Sequence, residues 1–178
     1  RKSMLSFVGI IVVLIIIGII ALAAFINKQG QEEMVFYVEK RTPVKLVAAT
    51  PEQIKFELDV PFANVGREEG IIMDAYVRPY VCVEQYDGAL LRGKVNLKAK
   101  PREDDYFEAM LVPPNMQDTL TLKFELTPLK AKDAQAAAAG MPDIDVALYL
   151  EERGRTELYR TKKIITLTAA EFQGLLAK

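Results

Sequence analysis

Histidine is absent from this chain, and cysteine occurs once, at Cys82. The commonest general base and metal ligand is therefore missing. A Ser-His-Asp triad, a His/Cys zinc site and a Cys-rich copper site cannot be built within the chain. An intramolecular disulfide is ruled out as well. Cys82 stands between Val81 and Val83 in an apolar run, the setting of a buried structural thiol; a reactive thiol wants a basic, exposed one. Glu103-Asp104-Asp105 offers the oxygen ligands that calcium takes, but lacks the spaced ligands and glycine of an EF-hand loop. It reads as a solvated turn between strands, and so does Glu68-Glu69. Carboxylates are plentiful enough for a glycoside-type pair, but no spacing selects one. A Gly-rich phosphate loop, Ser-x-x-Lys and Gly-x-Ser-x-Gly are all missing, as is an Asn-x-Ser/Thr glycan acceptor. No catalytic, cofactor-binding or metal-binding residue is assigned, and the expectation is a non-enzyme.

Recognition is a different matter. Tyr76, Arg78 and Tyr80 alternate along one apolar-polar stretch, and Tyr86 follows closely. On a strand, residues two apart share a face, so the first three would form a stripe. Tyr and Arg are enriched among the residues that dominate interface energies. The four are candidate partner-docking residues; ordinary cross-strand packing would use the same alternation.

The elements that must carry these residues are legible from the apolar pattern. Met4 to Ile26 holds no charged residue. As a helix its 23 residues would span ~34 Å, enough for a ~30 Å hydrocarbon core. Lipid offers no partner to exposed backbone groups, so such a span must be helical. Residues 1–26 are read as a transmembrane anchor. A cleaved signal peptide draws on the same features, with Arg1 and Lys2 as its basic start and Ala21-Leu22-Ala23 as a cleavage site. The apolar run is longer than such peptides use. Arg1 and Lys2 before the span, with Glu32 and Glu33 after it, place the N-terminus in the cytoplasm and the rest outside it, periplasmic or at the cell surface.

Residues 27–33 (NKQGQEE) form a short polar linker. Beyond it, residues 34–178 have the length of one domain with its own core. Without Arg1 and Lys2 the chain has 21 basic and 24 acidic residues, a net of −3, which gives no electrostatic reason for nucleic-acid binding.

Ile54 to Phe62, Leu120 to Leu126 and Ile144 to Leu150 carry a large apolar residue at every second position, as half-buried strands do. Val44–Ala48, Ile71–Val83, Leu91–Lys98, Phe107–Val112 and Leu158–Leu167 are further strands. Pro79 predicts an edge position or a bulge, and a slip of phase predicts a bulge in the last strand. Ala131–Ala139, stopped by Gly140 and Pro142, predicts a short helix on a crossover. The tail from Thr168 to Lys178 is a second short helix or a frayed end. Eight strands with one crossover helix indicate an antiparallel two-sheet β-sandwich.

FELDVPFANVG followed by IIMDAYVRPY, behind an anchor, resembles the immunoglobulin-like sandwiches of bacterial membrane-anchored proteins. Val60-Pro61-Phe62-Ala63-Asn64 is also similar to the strand of late-embryogenesis-abundant sandwiches that runs into an Asn-containing turn. The Asn-Pro-Asn of that turn is absent, as are the immunoglobulin cysteine pair and core tryptophan. These likenesses imply a sandwich and assign no family.

The expected function is that of a non-enzymatic, membrane-anchored accessory or structural subunit. Its partners would be the bilayer and other subunits of a membrane complex. A lipid-handling or apolar-ligand domain is the alternative, and it requires an internal apolar cavity of ~300 Å³ or more. An envelope glycan-acting enzyme is the third reading, and it requires a cleft with two suitably spaced carboxylates.

Overall fold

The computed structural model describes residues 2–104, 106–155 and 157–176. Helix α1 covers Lys2–Gln29. Its Phe7–Lys28 stretch has a mean hydropathy of 3.3 and is long and apolar enough to cross a membrane; none of it is buried against the rest of the chain. The helix runs three residues further than the anchor read from sequence and stops at Gly30. That glycine has φ +79°, a left-handed conformation that ends helices without strain only at glycine.

Nine strands follow among the described residues: β1 (Met34–Phe36), β2 (Lys45–Ala49), β3 (Ile54–Asn64), β4 (Gly70–Tyr80), β5 (Ala89–Leu97), β6 (Met110–Val112), β7 (Gln117–Pro128), β8 (Ile144–Arg153) and β9 (Leu158–Leu167). One sheet has the order β1-β3-β7-β5, with β2 on the same edge of β3 as β1 but at its other half. The second sheet has the order β6-β4-β8-β9. Every pairing is antiparallel, and the two sheets face each other as a sandwich.

The alternating strands supply the core. Ile54, Phe56, Leu58, Val60 and Phe62 of β3 are buried, and so are Leu120, Leu122, Phe124 and Leu126 of β7. Register sets Phe56 opposite Phe124 and Leu58 opposite Leu122. The Phe56 and Phe124 rings stack with centroids 5.2 Å apart. From the other sheet, Ile144, Val146, Leu148 and Leu150 of β8 close the interior.

Two short helices complete it. The predicted crossover helix is α2 (Ala134–Ala139), between β7 in one sheet and β8 in the other. It starts later than Ala131 because the Asp133 side chain caps it, accepting from Ala136 N at 2.7 Å. The tail forms α3 (Ala169–Gly174), begun by a capping box between Thr168 and Glu171. Phe172 buries itself edge-on against Phe56 at 5.8 Å. Arg41 forks onto both oxygens of Glu171 at 2.8 and 2.9 Å. Burial would raise the Glu171 pKa, but the Arg41 fork and the Thr168 cap outweigh it, and the carboxyl sits below its usual value.

Four expectations need correction. The strand read as Ile71–Val83 ends at Tyr80, which pairs with Asp145 one residue from the start of β8. The chain turns there, with Gln85 N and Tyr86 N both donating to the Cys82 carbonyl. Cys82 is consequently exposed, not a buried structural thiol. Of the two alternatives for Pro79 the edge position is the one found, and the bulge in β4 lies between Ile72 and Asp74. Since β6 stops opposite Ile72, the strand has an open edge at Pro79, where a residue without an N–H is tolerated. Strand β9 runs in unbroken register from Leu158 to Leu167; Leu158 and Ile164 face outward, which imitates a slip of phase. The predicted Phe107–Val112 strand is limited to Met110–Val112, and β1 carries no alternation long enough to be read.

Truncating the paired rings should be costly while their neighbours tolerate change. Phe56→Ala or Phe124→Ala should destabilise the detergent-solubilised chain by roughly 3–5 kcal/mol, and Lys55→Ala by no more than about 0.5 kcal/mol. Chemical denaturation followed by circular dichroism measures both.

Candidate partner-docking face

The outer face of β4, β8 and β9 is built in cross-strand rows. Its β4 members alternate outward because Ile72, Ala75 and Val77 are drawn into the core. Tyr76 stands opposite Tyr149, which stands opposite Lys162. Arg78 stands opposite Ala147, and Tyr80 opposite Asp145. The predicted stripe of Tyr76, Arg78 and Tyr80 therefore exists, on a face that looks away from the core.

Tyr149 joins its members. Its ring stacks on Tyr76 at 5.0 Å, and its hydroxyl shares a 2.8 Å hydrogen bond with that of Tyr80. Lys162 Nζ lies 5.4 Å from the Tyr80 ring centroid and 5.5 Å from that of Tyr149, within range of a cation–π contact. The hydrogen bond to Tyr149, and after it the one to Lys162, pulls the Tyr80 hydroxyl below its ordinary pKa. Lys162 is raised in turn, chiefly by Tyr80. The Arg160–Glu151 ion pair borders the cluster, and Thr166 donates to Asp145 at 2.8 Å. The result is an aromatic platform with fixed ring positions and a cation beside it.

Neither Tyr149 nor Lys162 stands out in the sequence. Tyr149 is legible as an outward residue of its strand, but only the β4–β8–β9 register brings it and Lys162 to Tyr76. Tyr86 does not join them. Its hydroxyl donates to Ala137 O at 2.6 Å, and its ring fills the space over Gly88, where a β-carbon would collide with it, and packs closely on Gly140. Burial first, and Asp87 second, raise its pKa. Tyr86 clamps α2.

The acidic runs resolve differently. Arg102 takes up Asp104 through both of its forked donors and also reaches Glu108 at 3.4 Å. Asp105 lies outside the described residues. The Glu68 carbonyl accepts the Asn64 amide at 2.8 Å, so Glu68-Glu69 belongs to a structured turn. Among the described residues, no three Asp, Glu or Cys side chains converge as ligands of an ion would. A groove of about 450 Å³ opens beside the β5–β6 connection, lined in part by Leu97, Phe107, Met110 and Met116.

One titratable group is out of the ordinary. Glu152 is 1% exposed, and neither of its carboxyl oxygens has a hydrogen-bond partner. It sits at the end of the sandwich nearest α1. Thr161, Lys163 and Tyr159 of β9 lie beside it, together with Glu32 from the linker. Glu32 itself packs on the Gly154 backbone and accepts from Arg155 N at 3.4 Å. Burial is the main cause that pushes the Glu152 carboxyl up to about 7, with Glu32 adding to it. Burial likewise raises Tyr159 to about 12, helped by Glu152 and Glu32.

No protein-family model matches this chain, and no curated protein matches it. Solved structures share its outline. The ApaA protein of Bordetella pertussis is 11% identical, with a TM-score of 0.42 over 77% of this chain and 94% of that one. A protein from Archaeoglobus fulgidus is 9% identical, with a TM-score of 0.39 over 77% and 94%. The GAE domain of GGA2p from Saccharomyces cerevisiae is 12% identical, with a TM-score of 0.36 over 71% and 98%. Likenesses this low carry no argument about what the chain does.

Glu152 makes stability depend on pH. Below its ordinary value of 4.5 the carboxyl is neutral in the folded and the unfolded chain, and its burial carries no charge penalty. As pH rises towards about 7 the unfolded chain is ionised while the folded one holds its proton, so stability falls; above about 7 the loss is complete. The total should approach about 3 kcal/mol. Glu152→Gln should remove that slope and leave the variant more stable than the parent at pH 8. Thermal unfolding across pH 4 to 8, on the order of one-unit steps, checks it.

Proposed function

We propose that this chain is a membrane-anchored, non-enzymatic accessory subunit. In this reading α1 crosses the bilayer with its N-terminus in the cytoplasm, and an immunoglobulin-like sandwich stands on the other side. The sandwich docks on a neighbouring subunit of a membrane complex through the outer face of β4, β8 and β9. The observation that carries this reading is the Tyr76–Tyr149–Tyr80 cluster with Lys162 beside it. Side chains already held by stacking and hydrogen bonding lose little entropy on binding, which favours their use as anchors. Tethering by α1 adds to the affinity of docking by raising the effective concentration of the domain.

The groove beside Phe107 and Met116 supports a second reading, an apolar-ligand domain. At about 450 Å³ it has the volume of a ligand pocket. It opens beside a loop, whereas the space between the sheets is packed with Phe36, Phe56, Phe62, Phe124 and Phe172. A fluorescent fatty acid titrated against the detergent-solubilised chain tests this reading. Saturable binding that Phe107→Arg abolishes would favour it over docking.

For the docking reading, the full chain is extracted gently and its co-purifying chains are identified. Tyr149→Ala and Arg78→Ala should each weaken recovery of the partner by at least about tenfold, some 1.4 kcal/mol. Val47→Ala, on the exposed face of the other sheet, should leave recovery unchanged. Equal recovery in all three variants would exclude this face as the docking surface.

A further inference from the structure

The sandwich does not hang from its anchor on a loose tether. Arg67 N donates to Gln31 O at 3.0 Å, Val65 N donates to Glu33 O at 2.8 Å, and Glu33 N donates to the Asn64 side chain at 3.2 Å. The backbone of Gln31–Glu33 passes so close to Gly66 that a β-carbon there would overlap it. The aliphatic stem of Arg67 lies against Gly30, at the end of α1. No free residue separates the helix from the domain, so whatever surrounds the end of α1 also touches this end of the sandwich.

That end has a composition of its own. Register places Leu111 of β6 opposite Ile71 of β4, Ile71 opposite Arg153 of β8, and Arg153 opposite Leu158 of β9. This is the lowest row of the outer face, and it is apolar except for its arginine. Leu111 is 56% exposed and Leu158 66%. Val65, 48% exposed, lies in the β3–β4 turn with Arg67 and is fastened to the linker at Glu33. The rows above change character at once: Asp74 stands opposite Glu151 and Glu151 opposite Arg160, and then comes the tyrosine row.

Resting on the reading of α1 as a membrane span, we propose that this end of the sandwich sits in the headgroup layer of the same bilayer. Leu111, Ile71, Leu158 and Val65 enter it, and Arg67 and Arg153 meet lipid phosphates. Apolar side chains flanked by arginines suit that zone, because the stems stay in apolar surroundings while the guanidinium groups reach phosphate and water. Glu68, Glu69 and Glu157 also lie at this end, so apolar insertion rather than net charge supplies the attraction. Four to five strand residues separate the lowest row from Tyr76, about 15 Å. The docking face therefore stands clear of the lipid, turned towards a neighbouring subunit.

The test uses the full chain in vesicles of phosphatidylcholine and phosphatidylglycerol, with Cys82→Ser as background. Spin labels are placed singly by Leu158→Cys, Leu111→Cys, Ile164→Cys and Val13→Cys. Accessibility to oxygen and to a water-soluble nickel chelate is then read by power saturation. Labels at 158 and 111 should be several-fold more accessible to oxygen relative to the chelate than the label at 164, six residues along the same strand. The label at 13 should lie deepest. If 13 is deep while 158 and 111 match 164, the proposal is overturned and the anchor stands. If 13 is itself aqueous, the membrane reading fails and the proposal with it. Shielding at 164 equal to that at 158 would mean that the face lies flat, and it would also overturn the upright arrangement.

Discussion

A single buried amide holds the parts of this protein together. Asn64 is fully enclosed. Its Nδ2 donates to Glu68 O and to Val112 O, both at 2.8 Å, and its Oδ1 accepts from Gly66 N and Glu33 N. Those partners belong to the β3–β4 turn, to β6 in the opposite sheet and to the linker behind α1. One side chain thus couples both sheets to the segment that leaves the helix. A group this deep must find all its partners, since an unsatisfied buried polar atom costs about 1–3 kcal/mol. Here the requirement acts as a constraint on geometry: the sheets, the turn and the linker must arrive together for the amide to be buried at all.

The neighbouring Glu152 shows the opposite case at the same end of the sandwich. It is as deeply buried, but neither carboxyl oxygen has a partner at hydrogen-bonding distance. The difference lies in what the linker brings. Glu33 offers Asn64 a backbone donor, whereas Glu32 brings a second carboxylate towards Glu152. Burial makes the carboxyl hold its proton more tightly, and Thr161 and Lys163 beside it offset this only in part. Packing at this end of the domain is accordingly tied to the protonation of one group, while the far end depends on apolar contacts and on the Arg41–Glu171 fork.

The three parts of the surface follow from these constraints. Because the linker is fastened to the β3–β4 turn, the end of the sandwich beside α1 has a fixed relation to the helix. Because β4, β8 and β9 pair without slack above the Ile72–Asp74 bulge, the tyrosine row has a fixed height above that end. An apolar row, a charged row and an aromatic row thus succeed one another along the same face. Proximity to α1 and distance from it have different chemistries.

The sequence by itself determined the apolar span, the strongly alternating strands and the absence of histidine-based or disulfide chemistry. These are local properties: a run of apolar residues or a period of two declares itself within ten residues, whatever lies elsewhere. It also placed Tyr76, Arg78 and Tyr80 on one face, since alternation needs no partner strand to be read. The tertiary structure decided everything that depends on pairing. Tyr149 and Lys162 reach Tyr76 only through register across two strand boundaries. Cys82 is exposed beyond the end of β4, whose last residue, Tyr80, pairs with Asp145 some sixty positions away in sequence. Tyr86, beyond the end of β4, is held instead by its hydrogen bond to Ala137 O of α2. Glu152 continues the inward phase of Ile144–Leu150, but the neighbours it meets there, Thr161 and Lys163 of β9 and Glu32 of the linker, are set by the tertiary structure. Local pattern specifies which face of an element is apolar; what that face meets is a property of the whole chain.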